Sequence, residues 1–557
     1  VGSDTVFQVL EQGTSPYFQV DWKNTSECQA QIYCAMADGG GPPNAGGGGG
    51  SSGVDVLLQQ AVGPYDAVVV ASKSADELLK WLNDNGYIQP KETKPLVESY
   101  VKQGHVFLAL KLQKDKSAGD IQPIVVTLDE PSPCLPIRLT SIAAKPDMPI
   151  VTWMLAAHRA IPKNYLHVVL NDATIDWMTG GGNYKTVVSK AVDQASGHAF
   201  TTEYAQPVKS FGAKFHDPKW NTKLLEGIKE PGKFMSALLE YGYPRTSQMQ
   251  TLIRKYIPKP AQWQQVADNE FYNCLTCQGC NEKPCADYKA DVAKQAFDSA
   301  AFAKEIDEFI VMPLKEVQDA FDSLAYLTRL YTTLDPSEMD KDPIFAFNAD
   351  LPDVARTRTA TAYPICEAGK KTALKAKLVF ANGHELTIDL PENYDNCMFG
   401  GGGAAVGFGK GSGPVNTDGG QPAWRVEVLD ESGPPLIIDP SAADKVDAAL
   451  NNVELGKPSL TQDFIDGLPA VTWNPTSKDD PNGGKPAEVD AGGAPGTDAG
   501  NTAPDATTTP TNPGASVPAP SSSCSASPVS PVAPLATLLL LGLGVAFLLR
   551  RRVRVRR

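Results

Sequence analysis

The sequence predicts an α+β protein carried on a disordered stalk that ends in one transmembrane helix. Three observations predict this. Strand-like and helix-like stretches are segregated along the chain instead of alternating, which fits α+β better than a doubly wound sheet. Residues 475–534 are Pro, Gly, Ala, Thr, Ser and Asp with almost nothing apolar to bury. An uncharged run, Leu535–Leu549, stands directly before the terminal RRRVRVRR.

The first region, 1–218, reads as an α+β core rich in strands. YDAVVVAS, from Tyr65, is a buried strand. SADELLKWLNDNG follows as a helix: Ser74 and Glu77 make a capping box, apolar residues recur at helical spacing, and Gly86 stops it. HVFLALKL, IQPIVVTL, LPIRLTSIA, PIVTWMLA and YLHVVLND read as strands from their β-branched and aromatic content, and YKTVVSKAVDQA as a helix. Trp81, Trp153 and Trp177 are expected in the core. The second region, 219–340, is helical: LLEGIKE, FMSALLEYG, QMQTLIRKYI and a long run ending in AYLTRLYTTL. The third, 341–470, returns to short strands, with a β-hairpin unit near 366–440. There KLVFANGHELTIDL turns at Asn382-Gly383 and WRVEVLD is a further strand. The linker is 475–534 and the anchor 535–557.

The anchor is short. Its 15 uncharged residues make a helix of ~22 Å, against a hydrocarbon core of about 30 Å. Val529 and Val532 extend the run and Arg550 can snorkel. Arg550, Arg551 and Arg552 stay on the cytoplasmic side, which places the body outside the cytoplasm. The expected location is therefore the cell envelope or surface, with the membrane as a partner through this helix. The chain opens VGSDTVFQVLEQ, with neither a charged start nor an apolar run. An exported protein needs such a signal, so the chain is expected to begin inside a longer precursor.

Net charge is −14, and six arginines lie in the last eight residues, so the rest of the chain carries −20 (−14 less six). An acidic body repels nucleic acid, which is excluded as a partner of the folded part.

CLTCQGCNEKPC places Cys274, Cys277, Cys280 and Cys285 in one short loop. Their spacing approaches the bacterial ferredoxin run, but the last gap is four residues and Ala286 follows it. A zinc site would usually present two separated pairs. Outside the cytoplasm thiols this close oxidise. Of the three possible pairings, Cys274–Cys285 with Cys277–Cys280 is favoured. Cys28 and Cys34 are close enough to close a small loop, and Cys366 and Cys397 bracket the hairpin segment and could staple it. Cys134 is left over, buried or paired with a segment before residue 1.

No signature assigns a catalytic residue or a cofactor. Phe399–Gly413 is glycine-rich, yet Gly411 follows Lys410 where a phosphate loop needs Ser or Thr. No Gly-x-Ser-x-Gly elbow occurs, and His384-Glu385 lacks the second histidine of a zinc-protease helix. AAHRAIPKNYLH could bring His158, Arg159 and His167 together, although each histidine reads more simply as a surface or satisfied core imidazole. DPSEMDKD, Asp335 to Asp342, lacks the calcium-loop pattern and reads as solvated charge. The leading expectation is a binding or structural role. An exported hydrolase using His158 and His167 is the alternative, and a metal or redox protein using the Cys274–Cys285 cluster is a third.

Two resemblances add to this reading. YDAVVVASKSADELLKWLNDNGY, IQPIVVTLDEPSPCLPIRLTSIAA, NYLHVVLNDATIDW, HAFTTEYA and YLTRLYTTLDPSEMDKDPIFAFNADLPDV are similar to the bacterial domain of unknown function 2330, over roughly residue 1 to the 360s. The resemblance implies an exported protein. It also implies a cysteine-containing opening segment and an extra β-rich portion, both absent here, and it brings no catalytic residue. SSSCSAS with Cys524, the apolar run and the arginines resemble the cysteine-containing sorting tails of myxobacterial surface proteins, which implies cleavage near that cysteine. Here Cys524 lies well ahead of the apolar run and outside any Gly-Cys cluster.

Overall fold

The computed structural model describes residues 4–30, 55–62, 65–87, 89–90, 93–114, 124–128, 133–212, 214–277, 279, 282–381, 383–390 and 423–471, with three short tail segments at 538–540, 547–549 and 553–554. It is a mixed α+β fold. Helix α1 (Asp4–Thr14) buries Val6, Phe7 and Leu10 and leads into strand β1 (Tyr17–Trp22). Strands β2 (Asp55–Val62), β3 (Tyr65–Ala71) and β4 (Val106–Leu112) form an antiparallel layer. Helices α2 (Ala75–Asp84) and α3 (Thr93–Lys102) cover one of its faces, packing Leu78, Trp81 and Tyr100 on Val68, Val70 and Phe107. The Ser74 hydroxyl caps α2 by accepting from the Glu77 amide, and Gly86 follows it at φ +81.

Strand β5 (Ile124–Leu128) comes next, then β6 (Met148–Ala156), β7 (Arg159–Pro162), β8 (Leu166–Leu170), helix α4 (Tyr184–Gln194) and β9 (Ala199–Pro207). A helical lobe fills the chain from Val208 to Ser323, with its own core around Phe234, Phe271, Phe302 and Leu314. After it come β10 (Tyr326–Leu334), β11 (Phe345–Asn348), β12 (Thr357–Ile365), β13 (Lys375–Val379), β14 (Glu385–Asp389), β15 (Trp424–Val428) and β16 (Leu436–Ile438). The organising layer is a six-stranded sheet of order β16-β15-β8-β9-β10-β6. Helix α4 packs across it through Val187, Val188, Ala191 and Val192. A second sheet, ordered β1-β12-β13-β14, packs against the same core through Phe18, Ala360, Ala362 and Leu378.

The pairing corrects several expectations. The expected boundaries at 218 and 340 do not separate the sheets: β10, β15 and β16 pair within the sheet of β6, β8 and β9, and β12 pairs with β1. AYLTRLYTTL is no helix end. Helix Met312–Ser323 stops, and β10 then runs between β6 and β9, with every residue after Tyr326 buried. A strand covered on both faces loses the period-two alternation that would identify it. LPIRLTSIA contributes a 3-10 turn at Arg138–Ile142 instead of a strand. The hairpin does form: β13 and β14 pair with Val379 opposite Glu385, and Gly383 takes φ +81 in the turn.

The tail also differs from expectation. Leu538–Leu540, Phe547–Leu549 and Val553–Arg554 are short strands, antiparallel to β5, β4 and β5 respectively. An uncharged run of Leu, Val and Phe can satisfy its backbone on a sheet edge as well as in a helix, and β4 and β5 present such edges. Among the described residues no helix is long and apolar enough to cross a membrane. The linker, Cys524, Arg550, Arg551 and Arg552 lie outside the described residues.

Candidate functional site

Three groups of polar side chains are candidate sites. The first crosses the six-stranded sheet. His167 on β8 stands opposite Glu427 on β15 in the antiparallel register. Its Nδ1 lies 3.0 Å from Glu427 Oε2, and its Nε2 lies 2.9 Å from the Thr202 hydroxyl on β9. Arg159 on β7 donates to that hydroxyl at 3.2 Å and to the Pro352 carbonyl at 2.7 Å. Arg425 lies 2.5 Å from the other Glu427 oxygen, as an ion pair off the hydrogen-bond direction. Burial pushes the His167 imidazole below its usual value, so the ring is neutral. Burial opposes the charge on Glu427, but the contacts to His167 and Arg425 outweigh it and hold the carboxyl below its usual value. A neutral ring facing an ionised carboxylate carries its proton on Nδ1, which leaves Nε2 to accept from Thr202.

This hydroxyl–imidazole–carboxylate order is the one that activates a nucleophile. Its three members are nevertheless only 5%, 3% and 1% exposed, for Thr202, His167 and Glu427. In this conformation the row joins four strands through buried hydrogen bonds. His158 is not part of it: the residue is exposed in the turn between β6 and β7. Of the expected trio the fold therefore joins Arg159 to His167, through Thr202, and leaves His158 outside.

The second group is one that sequence reasoning missed. His198, just before β9, lies 2.9 Å through Nδ1 from Asp447 on the helix Ala443–Ala449. Through Nε2 it lies 2.8 Å from Asp340. Lys341 donates to the second Asp447 oxygen at 2.6 Å and stands over the Tyr165 ring. Burial opposes charge on His198, but the bonds to Asp340 and Asp447 outweigh it and lift the imidazole to about 9. The two carboxylates occupy opposite ring nitrogens, so they cannot share one ion with that ring. Among the described residues no cluster of His, Cys, Asp and Glu is placed to hold a metal. Asp340 and Lys341 belong to the DPSEMDKD run expected to be solvated. Its neighbour Asp342 is fully buried, accepting from the Tyr100 hydroxyl at 2.6 Å and the Arg138 amide at 3.1 Å. The run stitches the α2–α3 layer to the main sheet, a use that charge pattern alone does not reveal.

The third is an open groove of about 740 Å³. One wall is the outer face of α4, with Lys190, Asp193 and Gln194. The other is Ala423 and Trp424 at the start of β15, with Pro440 after β16. Burial, then the nearby charges of Asp147 and Asp335, raise the Asp193 carboxyl. WRVEVLD identified the strand but gave no sign that Trp424 is only partly buried. Trp81 and Trp177 lie in the core as expected, and Trp153 is partly buried against α1.

The cysteines pair differently from expectation in part. Cys274 is bonded to Cys285, with Cα atoms 4.9 Å apart. Cys28 is bonded to Cys366, 338 residues away, at a Cα distance of 5.7 Å. This replaces both the expected Cys28–Cys34 and Cys366–Cys397 bonds. The reason is the parallel pairing of β1 and β12, which carries the residues following each strand to the same end of the sheet. Cys134, which is buried, and Cys277 are also disulfide-bonded. Cys34, Cys280 and Cys397 lie outside the described residues. With Cys274, Cys277 and Cys285 in disulfides, none of the three is a thiolate for a metal or cluster.

Residues 1–346 match the family described as uncharacterized protein conserved in bacteria, DUF2330. No curated protein and no solved structure matches the chain.

Proposed function

We propose, on the premise that the chain belongs to the bacterial family DUF2330, described only as uncharacterised, that it is an exported, disulfide-braced protein of the cell envelope with a binding or structural role. The observation that carries this is the Cys28–Cys366 bond, which joins two distant strands of one sheet. Together with Cys274–Cys285 it makes the fold dependent on thiol oxidation, and such bonds persist in oxidising compartments and are rare in the cytosol. The uncharged run Leu535–Leu549 and the arginines after it support retention at a membrane. Strand pairing on β4 and β5 gives the same run a second place to bury apolar surface. The test is cell fractionation with alkylation of the denatured protein before and after reduction. Envelope material with few thiols until reduced is the expected result. Reduced cysteines in a cytoplasmic pool would refute the reading.

One observation favours a second reading, an exported hydrolase: the Thr202–His167–Glu427 row has the bond order of a nucleophile relay. It requires an opening that exposes Thr202. A fluorophosphonate probe should then label Thr202 in the wild type and not in His167→Gln, and an unlabelled wild type removes this reading.

A further inference from the structure

The groove between α4 and β15 has features that its surroundings do not require. Helix α4 buries Val187, Val188, Ala191 and Val192, which turns Lys190, Asp193 and Gln194 outward as an i, i+3, i+4 set. All three line the groove, and Trp424 and Pro440 form the facing wall. Among the described residues no hydrogen bond or ion pair ties up the Lys190 amine, the Asp193 carboxylate, the Gln194 amide or the Trp424 indole N–H. Both walls are rigid: one is packed on the core through four aliphatic side chains, and the other lies in the central sheet opposite Leu170. A preformed concave site with an apolar platform and a few convergent polar groups is the ordinary form of a small-ligand site.

The chemistry narrows the ligand. Lys190 and Asp193 cancel in charge, and Asp147 and Asp335 lie close to Asp193, which disfavours an anion. The ligand is therefore not an anion, and it carries many donors and acceptors, because the wall offers an acceptor, a donor and an amide that does both. Its flat apolar side meets an indole, whose ring face is electron-rich and attracts polarised C–H groups. A pyranose ring meets both demands, with hydroxyls around its rim and C–H bonds on its face. We propose that the groove of Lys190, Asp193, Gln194, Trp424 and Pro440 binds a saccharide, with the sugar face on Trp424 and its hydroxyls on the α4 side chains. This deepens the envelope-binding reading above and rests on it.

The test is calorimetric titration of the intact chain with glucose, N-acetylglucosamine and the β-linked trimer of each, at millimolar concentration. Saturable binding of at least one probe is expected. Loss of one hydrogen-bonding group in Asp193→Ala should weaken it about tenfold, and Trp424→Leu should weaken it at least as much. Lys223→Ala, an exposed position away from the groove, should leave it unchanged. Asp193 lies on the solvent face of α4, so weakened binding with unchanged circular dichroism separates a lost contact from a lost fold. No saturable heat with any probe, or equal binding in Asp193→Ala and Trp424→Leu, overturns the inference. Export is read independently by the thiol and fractionation test. A protein that passes that test and binds no sugar overturns the saccharide site alone.

Discussion

His198 carries a carboxylate on each ring nitrogen, and this fixes how its charge is linked to stability. Its folded value, about 9, lies above the ordinary 6.5. A group raised in this way adds stability that is fully present below about 6.5 and is lost as pH rises through about 9. His198→Gln keeps a hydrogen-bonding side chain but cannot titrate. The wild type should therefore lose urea stability between pH 6.5 and 9 relative to this variant, and the two curves should run parallel above that window. Parallel curves throughout would mean that the Asp340 and Asp447 contacts do not hold the proton. The same residue shows why the site was hidden in the sequence. His198, Asp340 and Asp447 come from three separate segments, and nothing local at any of them marks it as a partner of the others.

At the scale of elements, the legible parts were those whose signal is local. Helix α2 has its cap, its periodicity and its stop within a dozen residues, and the β13–β14 hairpin has its turn. Strand β10 was illegible because burial on both sides erased its alternation. The parallel β1–β12 pair was illegible because its partners are about 340 residues apart, and parallel strands need no shared turn. The expected Cys28–Cys34 and Cys366–Cys397 bonds failed for the same reason, whereas the local Cys274–Cys285 bond forms as expected: nearness in sequence is a poor guide where a sheet brings distant segments together. The Cys28–Cys366 bond should be energetically important. Closing a loop of 338 residues is worth about 6 kcal/mol by chain entropy, and native disulfides typically deliver 2–5 kcal/mol. Cys28→Ser with Cys366→Ser should cost about 3–5 kcal/mol in denaturant unfolding. A loss under about 1 kcal/mol would show that pairing with β12 alone secures the N-terminal segment.

At the scale of the whole molecule, the body and the tail separate by composition, and the proposed membrane retention belongs to the tail. Ending the chain near Asp490 removes the apolar run and the arginines and leaves every strand of the two principal sheets. The shortened protein is expected in the soluble fraction with its disulfides intact, and a shortened protein that still sediments with membranes would place the retention in the body. The long-range disulfide has a mechanical meaning as well. It turns the chain between Cys28 and Cys366 into a closed covalent circuit, so tension applied between the two ends crosses at the sulfurs and never pulls that segment straight. At roughly 3.4 Å per extended residue, the enclosed 338 residues withhold on the order of 1,100 Å of length. A load on the oxidised protein can draw out only what lies outside the circuit. Once the bond is reduced, a load that unfolds the sheets can draw out that length as well.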